Sequence, residues 1–298
     1  MTPPNRRDFV KSASAAAIAA ALPASTMAAD KKRPKLRLAV KYGMIGEGAT
    51  PLEKLELVKS LGFEGVEIDS PSKIDLPALK KASEKTGIVV HGTIDSVHWK
   101  MPLSSPDPDV RFEGLKGLTT AVLEANYFGA PTALLVPGVA RDGVTYQECF
   151  DRSAAEVRKV LPLAEKLKVI IGIETVWNDF ITSPEQMIAY VDQFDSPWVG
   201  AYFDCSNMLK YGVPSATWIR KLGKRLVKFD FKGFNMNNFK EGKNPWVKIG
   251  EGTEDWSDIL DALAEVGYDG FATSEVGGGG REVLADIATL MKKVLELS

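Results

Sequence analysis

From Leu36 to the C-terminus the chain repeats one unit eight times: a short, apolar, β-branched run followed by a stretch of helical periodicity. The runs are Leu36–Tyr42, Gly65–Asp69, Ile88–Ile94, Thr132–Val136, Val169–Glu174, Val199–Asp204, Leu226–Phe231 and Gly270–Glu275. The helical stretches that follow them are Pro51–Leu61, Leu76–Thr86, Val110–Phe128, Tyr146–Leu167, Ser183–Phe194, Ala216–Leu222, Trp256–Val266 and Arg281–Leu295. No Pro/Gly/Ser-rich linker interrupts them, so the pattern predicts one α/β domain, a (β/α)8 TIM barrel over residues 35–298. Runs such as Val169-Ile170-Ile171-Gly172-Ile173 are apolar on both faces, as parallel strands covered by helices must be. The pieces Leu61-Gly62-Phe63-Glu64-Gly65 and Val266-Gly267-Tyr268-Asp269-Gly270 repeat a helix exit through glycine into a strand. A doubly wound open sheet is the competing arrangement, but no G-x-G-x-x-G follows the first strand, which removes the main argument for a nucleotide cofactor.

The N-terminus is of a different kind. Asn5-Arg6-Arg7-Asp8-Phe9-Val10-Lys11 leads into an Ala-rich run from Ala13 to Leu22, then Pro23 and small residues ending at Ala28 or Ala29. A charged region, an apolar region and a small-residue cleavage zone predict a removed signal peptide over residues 1–28. The paired arginines resemble a twin-arginine (Tat) signal, which implies export of a folded protein to the periplasm. The apolar run is shorter than the roughly 20 residues of a membrane span, so none is expected. Lys+Arg 37 against Asp+Glu 39 gives a net charge of −2, with no basic field for a nucleic acid. Cys149 and Cys205 would meet an oxidising compartment, but their spacing does not decide between a disulfide and two free thiols.

In a (β/α)8 barrel the reactive groups stand at the C-terminal ends of the strands. Four acids on successive strands stand out there: Glu174, Asp204, Asp230 and Glu275, at or near the ends of strands five to eight. Any one of them serves equally well as a helix cap or an ion-pair partner. Four on successive strands should converge on one rim, where they repel unless a cation neutralises them or some stay protonated. One divalent metal ion resolves this, and with two histidines in the chain an oxygen shell favours Mg2+, Mn2+ or Ca2+ over Zn2+. Asp230 is the weakest of the four, because Lys228 and Lys232 flank it.

Three further stretches carry a resemblance: Ile173-Glu174-Thr175-Val176-Trp177-Asn178; Gly200-Ala201-Tyr202-Phe203-Asp204-Cys205-Ser206-Asn207; and Ile249-Gly250-Glu251-Gly252-Thr253-Glu254-Asp255-Trp256 running on to Ser274-Glu275. Over nearly the whole barrel the chain resembles the xylose isomerase-like TIM barrels, the sugar phosphate isomerases/epimerases. The resemblance implies a divalent ion, Mn2+ or Mg2+ first, held by Glu174, Asp204 and Glu275. The family's remaining ligand is the histidine of a His-x-Lys-Asp motif; here the chain reads Asp230-Phe231-Lys232-Gly233, which puts Asp230 at the ligand position. The reaction implied is proton transfer next to a sugar carbonyl through an enediolate. Glu174 and Glu275 would be the acid/base pair, and Lys232 would hold an oxygen of the substrate.

For substrate binding the candidates are His98, Trp177, Asn207 and Trp246, with Trp99 as a further apolar face. His91 and Glu67 have good structural alternatives as a hydrogen-bonded core histidine and an ion-pair partner. The expected partner is a small sugar or glycoside, unphosphorylated if the chain is exported; a homo-oligomer is compatible with the sequence. Two other outcomes fit the same residues: elimination or hydrolysis of a 3-keto-glycoside, and a non-catalytic sugar-binding barrel.

Overall fold

This computed structural model describes residues 33–297; the expected leader over residues 1–28 lies outside them. Eight parallel strands close into a barrel in sequence order, each paired with the next and the eighth with the first. They are β1 (Arg37–Lys41), β2 (Gly65–Ser70), β3 (Val89–Asp95), β4 (Thr132–Leu135), β5 (Ile170–Glu174), β6 (Val199–Asp204), β7 (Leu226–Phe231) and β8 (Phe271–Ser274). Around them lie α1 (Pro51–Ser60), α2 (Leu76–Thr86), α3 (Pro108–Phe128), α4 (Tyr146–Leu167), α5 (Pro184–Asp192), α6 (Ser215–Leu222), α7 (Met236–Lys240), α8 (Trp256–Val266) and α9 (Arg281–Val294). The predicted TIM barrel is therefore the fold, with most strand and helix ends displaced by no more than two residues.

Local sequence accounts for the helix ends. Thr50 with Glu53, Thr145 with Glu148, and Ser183 with Gln186 form reciprocal capping boxes that start α1, α4 and α5. Gly267 ends α8 in the left-handed conformation (φ 76°), the role the repeated helix-exit motif predicts. The five-residue α7 has no counterpart in the sequence reading, because five residues show no helical period. Its local signal is Asn235, whose side chain accepts hydrogen bonds from the backbone N–H groups of Asn237 and Asn238.

The strands' outer faces are apolar and packed under the helices; Phe203, for example, stacks on Trp218 with ring centroids 5.5 Å apart. The barrel's inside is ionic instead. Glu67, His91, Tyr202, Lys228 and Asp230 are all buried within it. Two irregularities in strand register, at Val66/Glu67 and at Ala201/Tyr202, fall on two of these residues. A bulge re-aims a side chain, and here Tyr202 Oη donates to Glu67 Oε2 across the barrel at 2.5 Å. Gly92 leaves the room this needs, since a Cβ there would lie 2.4 Å from Glu67 Oε1. Cys149 in α4 and Cys205 after β6 are both buried free thiols, so neither forms a disulfide.

Candidate active site

The strand tilt of a barrel places hydrogen-bonded partners on neighbouring strands at different heights along its axis. Together with their hydrogen bonds, that rule sorts the ionic residues into tiers, Lys41 and Glu67 sharing one because Lys41's long side chain reaches its register partner. At the rim stand Glu174 (end of β5), Asp204 (end of β6), Lys232 (after β7) and Glu275 (after β8). One tier lower are Lys41, Glu67, Tyr202 and Asp230; Tyr202 is the register partner of Glu174, and Asp230 that of Asp204. Lowest are Lys228 and His91, the latter stacked on Phe271 at 4.1 Å.

Of the four predicted acids, three come together. Glu174, Asp204 and Glu275 each offer an oxygen within 4.8 Å of the others. Asp230 stands outside this group, with Oδ2 2.5 Å from Lys41 Nζ and Oδ1 accepting from Tyr202 Oη at 2.8 Å. Two residues further along β7's inward-facing side, Lys232 takes the rim position, and its ammonium bonds Asp204 Oδ2 and Glu275 Oε2. Asp204 is fixed by the backbone N–H groups of Ser206 and Asn207, both 2.9 Å from Oδ1. The Glu174 carboxylate, by contrast, makes no hydrogen bond among those of the described residues.

These neighbours set the charge states. Burial pushes the Glu174 carboxyl well above its usual range, and nearby Glu275 adds to the push. Burial acts in the same direction on Glu275, but Lys232 and Lys41 outweigh it and lower its pKa. The two glutamates thus share a cavity with opposite tendencies, the pattern of an acid paired with a base. Burial would lower the Lys232 ammonium, yet Asp204 and Glu275 hold it above its ordinary value. In the tier below, burial raises Asp230 to about 7 against the pull of Lys41. Glu67 is held well below the usual range because Lys41, Lys228 and His91 outweigh its burial.

A cavity of about 620 Å3 opens on this rim. Glu174, Glu275, Lys232, Lys41 and Glu67 form its floor, and His98, Trp99, Trp177, Asn207 and Trp246 its walls. Every predicted substrate-binding residue therefore lines it, whereas His91 lies at the bottom of the barrel, held by Lys228. His98 Nδ1 accepts from the Val136 N–H at 3.4 Å, which leaves Nε2 as the proton-bearing nitrogen. Burial lowers the pKa of His98 to about 4, so its imidazole is neutral at pH 7. Trp177 donates Nε1–H to the Asn207 carbonyl at 2.7 Å and stacks on Trp246 at 5.2 Å.

Lys41 is the cavity residue that the sequence reading missed. Its ammonium lies 2.8 Å from Glu67 Oε2 and 2.5 Å from Asp230 Oδ2. Burial would lower its pKa, but Asp230 and Glu67 outweigh that and raise it. Its signal in the sequence is its place at the end of β1's apolar run, where other strands carry their acids. Glu254, in the Gly250–Glu254 stretch, proves to be a brace. Its Oε1 accepts from Ser206 Oγ at 2.8 Å and from the Phe234 N–H at 2.7 Å, tying the loops after β6 and β7 together.

A closed eight-stranded barrel with a carboxylate trio at the C-terminal ends of β5, β6 and β8 defines a TIM barrel with an acidic site at its catalytic face. The sequence matches the family model for the xylose isomerase-like TIM barrel over residues 55–294, and the chain belongs to that family. It is 27% identical over 234 residues to an L-ribulose-5-phosphate 3-epimerase of Escherichia coli O1:K1, covering 74% of this chain and 79% of that one. Among solved structures, D-psicose 3-epimerase from Clostridium cellulolyticum H10 superposes with a TM-score of 0.70 at 21% identity, covering 88% of this chain and 97% of the other. The E. coli 3-keto-D-glucoside 4-epimerase superposes with a TM-score of 0.72 at 15% identity, covering 87% and 99%.

Proposed function

We propose that this protein is a divalent-metal-dependent sugar isomerase or epimerase that moves a proton at the carbon next to a carbonyl. The observation that carries the reading is the convergence of Glu174 and Glu275 with Asp204 at one rim, each offering an oxygen within 4.8 Å of the others on the floor of one cavity. The epimerase activities of the similar proteins support the same class.

The carboxylate trio fits a hard cation, since all three donors are oxygens. Among the described residues Glu174 makes no ion pair of the kind that Asp204 and Glu275 make with Lys232, although Lys41 and Lys232 both lie near enough to favour its ionised form. Glu174, Asp204 and Glu275 would hold the ion, Mn2+ or Mg2+, which when bound polarises the substrate carbonyl. The remaining work belongs to the chain. Glu275, on β8, and Glu174, on β5, are placed to take and return the proton, each needing to be within reach of the substrate C–H. Lys232 places an ammonium where negative charge grows on the enediolate oxygen. His98 offers a neutral N–H to a hydroxyl, and the walls of the cavity limit water.

The substrate is an unphosphorylated sugar. Both cations of the cavity, Lys41 and Lys232, are already engaged by two carboxylates each, and Asp69 lines the same cavity. A phosphate dianion would meet repulsion there instead of the free Arg or Lys cluster it needs. The twin-arginine pattern at Arg6-Arg7 supports export to the periplasm, away from sugar phosphates.

The test is incubation of the protein with Mn2+ and a panel of free ketoses, free aldoses and 3-keto-glycosides, followed by NMR. A new epimer or isomer at constant total sugar is expected. Conversion of none of them overturns the reading, and release of an aglycone from a 3-keto-glycoside assigns a lyase or hydrolase instead.

A further inference from the structure

The cavity changes character with depth. Its floor is ionic, with Asp204 inaccessible, Glu174 only 5% exposed and Lys232 largely buried, while Glu275 on β8's side is 43% exposed and reaches up toward solvent. Its mouth is aromatic and open: Trp99 is 50% and Trp246 37% exposed, and both belong to the small set of large apolar side chains that the described residues leave in solvent. The two come from the loops after β3 and β7, strands diametrically opposite in a closed ring of eight, yet they line the same cavity. Each is held in place. Trp246 rests on Trp177 at an interplanar angle of 27° and packs against Phe234, and Trp99 meets the His98 ring edge-on. Exposed aromatic faces held on a preformed mouth are the usual mark of a binding surface.

Size points the same way. The cavity of about 620 Å3 amounts to roughly 20 water volumes at ~30 Å3 each. A single hexose has about a dozen non-hydrogen atoms, and the full volume is in the range of sites that bury larger ligands.

We propose that the mouth between Trp99 and Trp246 is a second subsite, which binds an uncharged ring joined to the reacting sugar, so that the substrate is a carbonyl-bearing sugar with a second ring attached and not a monosaccharide. The ring presents an apolar face to the tryptophans, and either an aromatic aglycone or a second sugar supplies one. This inference rests on the sugar chemistry proposed for the floor, and deepens it.

The full chain loaded with Mn2+ is titrated, following tryptophan fluorescence, with methyl β-D-glucoside, phenyl β-D-glucoside and cellobiose, and with the matching galactosides. We expect the phenyl glycoside, the disaccharide or both to bind about tenfold more tightly than the methyl glycoside, the equivalent of one good aromatic contact. In Trp99→Ala that ratio should collapse to about twofold or less, and Trp99 is exposed enough that its removal leaves the fold intact. A gain with the phenyl probe alone identifies an aglycone, and a gain with cellobiose alone a second sugar. Equal binding of methyl, phenyl and disaccharide probes, or a gain that survives Trp99→Ala, overturns the subsite. If free sugars are converted while the larger ring adds nothing, the subsite fails and the epimerase reading stands; if no sugar is converted and no probe binds, both fail.

Discussion

Lys41 is buried between Glu67 and Asp230, and replacing it with methionine keeps the length of the side chain while deleting its charge. The two carboxylates do not lose equally. Glu67 keeps Lys228 at 3.5 Å, His91 and the Tyr202 hydroxyl, whereas Asp230 loses its ion-pair partner and retains only the tyrosine. Stranding one buried charge costs about 3–5 kcal/mol, so Lys41→Met should lose that much stability at pH 8. The sign of its pH dependence follows from the two carboxyls. The Glu67 pKa is depressed in the folded protein, so its contribution is present above its unfolded value and lost as pH falls. The Asp230 pKa is raised to about 7, so its contribution is present below its unfolded value and lost as pH rises through about 7. Removing Lys41 weakens the first and drives the second higher, and the deficit therefore grows with pH, in one step below about pH 4.5, where Glu67 ionises earlier in the wild type than in the variant, and a further step above pH 7. Urea unfolding of the wild type and Lys41→Met at pH 4, 6 and 8 measures this. Adding Asp230→Asn should restore about 1–3 kcal/mol at pH 8, the coupling of a contacting pair. A deficit under about 0.5 kcal/mol at pH 8, or one that shrinks with rising pH, refutes the reasoning.

The other predictions concern separate parts of the molecule. Lys232→Met removes the ammonium bonded to Asp204 and Glu275, and should tighten Mn2+ binding about tenfold or more in calorimetric titration, while conversion of sugar falls. Burial raises Asp95 to about 7, so its favourable contribution is lost between its unfolded value and pH 7. Asp95→Asn should therefore gain stability over the wild type across that window, by up to about 4 kcal/mol above pH 7 at 1.4 kcal/mol per unit, as read from the urea midpoint at pH 4 and pH 8. Both cysteines should resist a thiol reagent in the native protein and react in urea without reductant, because burial pushes Cys149 up to about 12 and Cys205 higher than usual as well.

The barrel was legible because its period is long and its strands apolar; the rim was legible because an acid that ends an apolar run must stand at the C-terminal face. Glu174 and Asp204 illustrate this, each the last residue of its strand. The same rule cannot give depth. Asp230 also sits near a strand end, but the tilt between β6 and β7 lowers it one tier below its register partner Asp204, and Lys232 takes the rim. Tyr202 was hidden for a related reason: its role depends on pairing across the barrel with Glu67, 135 residues away. No local pattern encodes such pairs. Trp177 and Trp246 read as isolated tryptophans in the sequence, and become one stacked wall only when the loops after β5 and β7 meet.

The central claim is that two glutamates pass a proton to and from a carbon next to a carbonyl. Solvent exchange in D2O tests it most directly, with the Mn2+-loaded protein, a sugar that it converts, and NMR detection of deuterium in substrate and product. Incorporation at the carbon next to the carbonyl is predicted, falling by about 10²-fold or more in both Glu174→Gln and Glu275→Gln, as expected for loss of a positioned acid or base. Conversion without deuterium incorporation, or exchange undiminished in both variants, would contradict the account.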